Sequence, residues 1–373
     1  MVINYIIYLR ELWGTKMKQL LKQLLSRRVI DRLQQLNNDV DLAAIRVVRR
    51  SRLLTVLYYA FFSSGFHREM LSVVNGRYRY YQSQVETNPS SFMLRRNIHR
   101  LEKGLCMRPR RDVFAESYIA ETVDIFSACI VADVLTGHEY NWAHDVLAEY
   151  FSSVGFSPVI EQARDSFAHA LTLSNFGDVD YTNKPFSYGS ASKSDINLAD
   201  FKALCDNRSS VRWFKSMPVP KDILDEAITI ASTAPSACNR QPFEFFVFDD
   251  PKDAQRIGGI PMGTAGFSQN FQCIIVVVGD ISAYPFDKDR HVIYIDTALA
   301  SMQLLLALET CGLSSCVINW PDVERHERQM AAELGLEPYQ RPTMLISVGY
   351  ADETGMIPFS AKKIASDLVR RSQ

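Results

Sequence analysis

Four short segments carry residue types that could bind a ligand or do chemistry. In Asn207-Arg208-Ser209-Ser210-Val211-Arg212-Trp213-Phe214, two arginines stand four apart with hydroxyls between them. A guanidinium offers a forked pair of donors and Ser a short one, a combination suited to a phosphate group. Thr233 to Phe243, TAPSACNRQPF, sets small residues that let backbone approach a ligand beside the amides of Asn239 and Gln241. Cys311 to Trp320, CGLSSCVINW, joins a helix stop at Gly312 to the start of a strand. The fourth segment is Gly349-Tyr350-Ala351-Asp352 followed by Ser360-Ala361-Lys362-Lys363-Ile364, whose lysines could form a second phosphate clamp. Taken singly, each also fits a plain surface run or a helix-to-strand turn. No G-x-G-x-x-G or P-loop is present. The seven cysteines form no C-x-x-C pair and no Cys/His cluster at zinc spacing, so no metal site is expected.

The elements that must position these segments are readable from residue 200 onward. Ile223 to Thr233 predicts a helix, Phe243 to Phe248 a short strand and Cys273 to Val278 (CIIVVV) a buried strand. Ile295 to Cys311 predicts a long helix, with further strands at Ser315 to Ile318 and Thr343 to Gly349. Continuous apolar strands alternating with helices imply a layered sheet covered on both faces. Residues 176–199 are crowded with Ser, Asn, Gly and Pro and read as a linker, dividing a module over 1–175 from one over 200–373.

A chain of 373 residues with 47% hydrophobic and 22% charged residues has the composition of an ordinary globular protein, which excludes wholesale disorder. The net charge of -1 hides a split: residues 1–111 carry +14 and the rest -15. The basic end predicts an amphipathic helix over Trp13 to Leu36, able to lie on an anionic membrane or to dock on the protein itself. Leu53 to Phe66, LLTVLYYAFFSSGF, falls short of the ~20 residues that span a bilayer and predicts a buried helix. The cations between Phe92 and Arg111 could hold phosphate or nucleic acid. No helix-turn-helix, zinc finger or RNA-binding signature frames them, which argues against nucleic acid. Val113 to Phe151 predicts two helices, with Ile119, Val123, Phe126, Ile130 and Val131 on one face. The first module is expected to be all helical, and cysteine usage fits a reducing, cytoplasmic compartment, with membrane association a further option.

In register over residues 200–370, the four segments resemble the FMN-dependent nitroreductase family. Its pattern runs R-x-S-x-R-x-F, then A-P-S-x-x-N-x-Q-P-W/F, then D-x-x-x-x-x-Q-x-L-L-L-A before G-L-x-S-C, and ends on G-Y-x-x-E with basic residues; here the third piece runs from Asp296 to Ala307. The resemblance implies an α+β fold, a layered mixed sheet flanked by helices and preceded by the all-helical module. It implies that Arg208, Ser209, Ser210 and Arg212 hold the FMN phosphate and ribityl chain, with Lys362 or Lys363 adding charge there. It further implies that Pro235, Ser236, Ala237 and Asn239 reach the flavin across a homodimer interface, and that backbone around Val317, Ile318 and Asn319 lies along the flavin's pyrimidine edge. The expected activity is ping-pong hydride transfer from NAD(P)H to a small organic acceptor, with no protein acid or base required because the flavin carries the chemistry. A specialised flavin enzyme, or a non-catalytic flavin binder held at a membrane by the basic half, are the alternatives. Departures from the pattern are Ser209, where many relatives have a second arginine, and a short loop over Gly258 to Asn270. A fragment beginning near residue 195 is expected to dimerise and bind flavin unaided.

Overall fold

The computed structural model describes residues 26–85, 89–177 and 181–371. The part of the basic helix expected between Trp13 and residue 25 lies outside them. The chain divides into two compact units, Met1–His67 and Arg68–Gln373.

In the first unit, α1 (Arg27–Val48) and α2 (Arg52–Phe61) are joined by a tight turn. Ser51 caps α2, and the Thr55 hydroxyl donates to the Val48 carbonyl at 3.0 Å. The expectation of a buried helix here is corrected: α2 contains no buried residue, and Leu53, Val56, Phe61 and Phe62 are 68%, 62%, 66% and 80% exposed. Its half-buried side chains are Thr55, Tyr58 and Tyr59, and among the described residues of this unit α2 packs against α1.

The second unit opens with five helices: α3 (His67–Val85), α4 (Ser91–Leu105), α5 (Ile119–Val131), α6 (Gly137–Ser153) and α7 (Pro158–Thr172). α6 is started by a capping box of Thr136 and Glu139, and α7 by Pro158 in its first turn. α4 through α7 share one core around Ile98, Phe126, Leu147, Tyr150 and Ile160. Ile119, Val123, Phe126 and Ile130 point into it, as their spacing predicts. Val131 does not and is 70% exposed, because one step along a helix turns the side chain by about 100°. The linker is tied back onto this core, since buried Asp145 accepts from the backbone and side chain of Asn183 at 2.8 and 3.0 Å.

After α8 (Leu198–Asn207) come α9 (Lys221–Ala231), β1 (Phe243–Phe248), α10 (Pro251–Gly258), β2 (Cys273–Asp280), α11 (Val292–Thr310), β3 (Ser314–Asn319), α12 (Glu324–Leu334) and β4 (Gln340–Gly349). The four strands form one sheet in the order β1-β2-β4-β3, all antiparallel, and its parallel element is a single bridge between Ser210 and Ser315. β2 shows why an unbroken apolar run was needed. Cys273, Ile275 and Val277 face a core with Leu224, Ala227, Leu304 and Leu308 from α9 and α11. Ile274, Val276 and Val278 face the opposite core with Ala254, Ile257 and Met330 from α10 and α12. The period-two alternation of strand side chains thus feeds two apolar layers. Asp287–Thr310 is long and apolar enough to cross a membrane, but half of it is buried, with Ile293, Ala300, Leu304 and Leu308 turned inward.

The helical and sheet parts of this unit share a further core. Val73 of α3 and Phe92 of α4 pack with Ile281, Ala283, Tyr284 and Ile293. Gly76 allows the approach, since a Cβ there would sit 2.9 Å from the Ile281 side chain. Polar contacts surround it: Arg77 donates to the Pro285 carbonyl at 3.1 Å, and Arg68 pairs with Glu327 at 3.6 Å.

Candidate functional site

Arg208 follows the last residue of α8, and the chain then runs extended along β3. Ser210 bridges to Ser315, and the Val211 N–H donates to the Ser315 carbonyl at 3.0 Å. Asn270 holds the next stretch by accepting from the Phe214 N–H at 2.5 Å and donating to its carbonyl at 3.0 Å. Arg212 lies between these anchors, 5.8 Å from the Phe267 ring centre, and donates to the Ser210 carbonyl at 3.5 Å. Burial raises the Cys316 thiol pKa, and Arg212, a hydrogen bond with Ser210, and Arg208 each draw it back. Arg208, Ser210 and Arg212 therefore gather around the start of β3. Glu309 feels Arg208 as well, its carboxyl pushed up by burial and pulled down by that guanidinium. Among the described residues neither Arg208 nor Arg212 has a carboxylate in ion-pair contact. Two half-buried cations with no carboxylate in ion-pair contact suit an anion.

Along β3, Ile318 turns into the core while Val317 and Asn319 face outward. Apart from the Ser210 bridge, the outer edge of β3 carries no backbone pairing among the described residues. This edge is where the flavin ring was expected.

The second grouping is the turn between α9 and β1. Pro235 is exposed, and Ser236, Ala237, Cys238 and Asn239 are half-buried. Cys238, Asn239 and Gln241 adopt left-handed backbone, with φ of +54°, +52° and +49°. Each such non-glycine residue costs about 1–3 kcal/mol and persists only where its surroundings hold it. Asp296 of α11, 2% exposed, accepts the Ala237 N–H at 3.1 Å and the Tyr284 hydroxyl at 3.2 Å. Burial raises the Asp296 pKa, and these donors together with Arg240 offset part of the rise. Buried Arg240 donates to the Ala237 carbonyl at 3.4 Å and sits 4.8 Å over the Tyr284 ring. The Ser236 hydroxyl accepts the Gln241 N–H at 3.1 Å.

The helical module reaches this turn. α4 packs on Ala237–Asn239, and Arg95 donates Nε to the Asn239 carbonyl at 2.9 Å and Nη2 to the Gln241 side-chain oxygen. Of the cations from Arg95 to Arg111, Lys103, Arg108, Arg110 and Arg111 are exposed, while Arg95, Arg96 and Arg100 are half-buried. Arg95 is spent inside the molecule, Arg100 stacks 3.6 Å over Tyr118, and Arg110 donates to the Ser153 carbonyl at 3.1 Å. His99 pairs with Glu102 at 3.1 Å.

The Arg208 group and the Ala237 turn make no hydrogen bond, ion pair or ring contact with each other among the described residues. Lys362 and Lys363 are exposed in an irregular stretch, and no contact brings them to either group. Sequence reasoning missed Arg95, Tyr284 and Asn270, and assigned no role to Asp296. Only Asp296 carried a signal, as an acid in the apolar first half of a helix. Among the described residues no cluster of His, Cys, Asp and Glu could hold a metal.

Residues 206–269 and 260–350 match the sequence model of the Nitroreductase family. An NADH dehydrogenase of Thermus thermophilus is 27% identical over 192 residues, 43% of this chain and 91% of that protein. An iodotyrosine deiodinase of Haliscomenobacter hydrossis is 24% identical over 195 residues, 44% of this chain and 85% of its own length. Among solved structures, the FMN-dependent nitroreductase of Clostridium difficile R20291 matches 46% of this chain and 98% of its own, at 23% identity and a TM-score of 0.40.

Proposed function

We propose that this chain, whose residues 206–350 belong to the nitroreductase family, is an FMN-dependent oxidoreductase that carries hydride from NAD(P)H to a small organic acceptor. The observation that carries the reading is the pair Arg208 and Arg212, neither with a carboxylate in ion-pair contact among the described residues, flanking Ser210 at the start of β3. A phosphate dianion would neutralise both guanidiniums and accept from the Ser209 and Ser210 hydroxyls, so the residues present fit an FMN phosphate. Val317, Ile318 and Asn319 would offer the free edge of β3 to the flavin ring. FMN, when bound, supplies the hydride-accepting and hydride-donating chemistry. The chain's own residues would bind and orient it.

A homodimer would bring the Ala237 turn of one copy to the Arg208 group of the other. The outer face of α11 supports this, because Ile295, Leu299 and Met302 form a stripe at helical spacing and are 57%, 42% and 44% exposed. Pro235, Ser236, Ala237 and Asn239 would then meet the partner's flavin.

Purified protein is expected to show flavin bands, release FMN on denaturation, and bleach on anaerobic addition of NADH or NADPH. In the same assay Arg208→Ala should hold FMN about 10–150-fold more weakly, the loss of one charge-assisted contact. A colourless chain that takes up no added FMN would sink the reading.

A cytoplasmic enzyme resting on a membrane surface is the second part of the proposal, favoured by the exposed apolar α2. Arg46, Arg49, Arg50 and Arg52 stand next to Leu53, Val56 and Phe61, all exposed, and basic residues beside an apolar face suit anionic lipid. The full chain should sediment with phosphatidylserine vesicles at low salt and much less with neutral ones. Equal sedimentation with both would remove the charge argument.

A further inference from the structure

Three of the four residues from Cys238 to Gln241 hold left-handed backbone although none is glycine. Side-chain-bearing residues keep such angles only where neighbours hold them there. Part of the clamp comes from the sheet part of the unit, through Asp296 on the Ala237 N–H and the Ser236 hydroxyl on the Gln241 N–H. The rest comes from α4, 144 residues away in sequence. Two arms of the Arg95 guanidinium go to the turn, to the Asn239 carbonyl and the Gln241 side-chain oxygen. The third pairs with Glu139 at 3.0 Å, and the group lies 5.1 Å over the Trp142 ring. The Gln241 amide in turn donates to the Ser232 carbonyl at 2.7 Å, so Arg95 is linked through it to the end of α9. The Arg95 side chain is 13% exposed, and its contacts are already made within this chain.

We propose that Arg95 is a positioning residue: the helical module, through this one side chain, sets the backbone of Ala237–Gln241 and thereby the affinity for flavin. What the turn touches rests on the FMN reading above, whereas the clamp itself does not. A planar fork can serve a carbonyl, an amide oxygen and a carboxylate at once, and an ammonium cannot. Lysine at this position keeps the charge opposite Glu139 but loses the fork, which separates positioning from electrostatics.

The test uses the full chain with Arg95→Ala and Arg95→Lys. The first readout is amide hydrogen exchange without FMN. The N–H groups of Asn239, Arg240, Gln241 and Phe243 are all hydrogen-bonded in the folded protein, so they should exchange slowly. Both variants are expected to exchange about tenfold faster there, with no change over α5 in the helical core. The second readout is FMN binding by fluorescence quenching, expected to weaken about tenfold in both variants. Unchanged exchange at the turn overturns the proposal. So does a loosened turn whose FMN affinity stays within about twofold, or full rescue by lysine. A wild-type chain that binds no FMN removes the flavin reading and with it the cofactor half of the proposal. The exchange arm, which needs no flavin, still decides whether Arg95 holds the turn.

Discussion

Glu327→Ala is expected to lower stability by about 3–5 kcal/mol, the usual result of removing one partner from a buried ion pair. Arg341 of β4 is wholly buried. Its Nε and Nη2 each lie 3.1 Å from the Glu327 carboxylate, and Nη2 reaches Asp322 at 2.8 Å. Glu327 is itself buried, accepts from the Trp320 ring N–H at 2.6 Å and faces Arg68 of α3 at 3.6 Å. Alanine there leaves Arg341 with only Asp322, whose side chain is 44% exposed, and the Trp320 donor without its acceptor. At roughly 2–4 °C per kcal/mol, the midpoint of thermal unfolding should fall by about 6–20 °C. The double variant Arg341→Met/Glu327→Leu should recover part of that loss, since it removes both buried charges together. A single variant melting within about 2 °C of wild type would show that the pair contributes little.

The second large effect concerns the fragment 195–373, which the sequence suggests is self-sufficient. The packing of the intact chain leads us to expect the opposite. Without the helical module, Ile281, Ala283, Tyr284 and Ile293, all at most 3% exposed in the intact chain, lose their cover from Val73 and Phe92. Burying a large apolar side chain contributes about 1.5–3 kcal/mol, and a new apolar patch promotes association. Tyr284 also donates to Asp296, which holds the Ala237 turn, so the damage should reach the site. The fragment is expected to be insoluble or to unfold without a cooperative transition, whereas residues 63–373 should remain soluble and melt cooperatively. Size-exclusion chromatography and a thermal melt of both would check it. A monodisperse 195–373 fragment that binds FMN would make the helical module an appendage.

Local pattern was enough for the four strands and for α9 and α11. β1 begins and ends where its aromatic and β-branched run does, at Phe243 and Phe248. β2 extends two residues beyond its expected end, to Asp280. Gly312 terminates α11 with φ +73°, as a residue just past a helix end should. These features depend on a few neighbouring residues whose propensities agree with the fold. The α2 segment failed for the opposite reason. Apolar composition shows that a helix could be buried, whereas burial needs partners, and the partner among the described residues of its unit is α1.

The phosphate-type residues were legible because they lie within five positions of one another and carry an unusual combination of two arginines and two hydroxyls. Their chemistry alone marked Arg208, Ser210 and Arg212. That they face a strand edge depends on the bridge of Ser210 to Ser315, a pairing over a hundred residues long in sequence. Arg95 is the clearest contrast. In sequence it is one cation among seven between Phe92 and Arg111, with nothing to separate it from Arg96 or Arg100. Folding turns it toward Asn239 and Gln241, and leaves Arg96 and Arg100 sharing the side-chain oxygen of Asn97 at 3.2 Å.

By itself, then, the sequence determined the α+β class, the four strands with the helices α9 and α11, the resemblance to the nitroreductase family, and the gathering of phosphate-type residues at Arg208 to Arg212. Each of these is written in adjacent residues or in a fixed period. The tertiary structure alone decided that the helical module is built into the sheet module, that a strained turn is clamped by Arg95 and Asp296, and that α2 stands exposed. Those outcomes depend on which surfaces meet across long stretches of chain. Packing and long-range hydrogen bonds select that meeting, and neither leaves a local pattern.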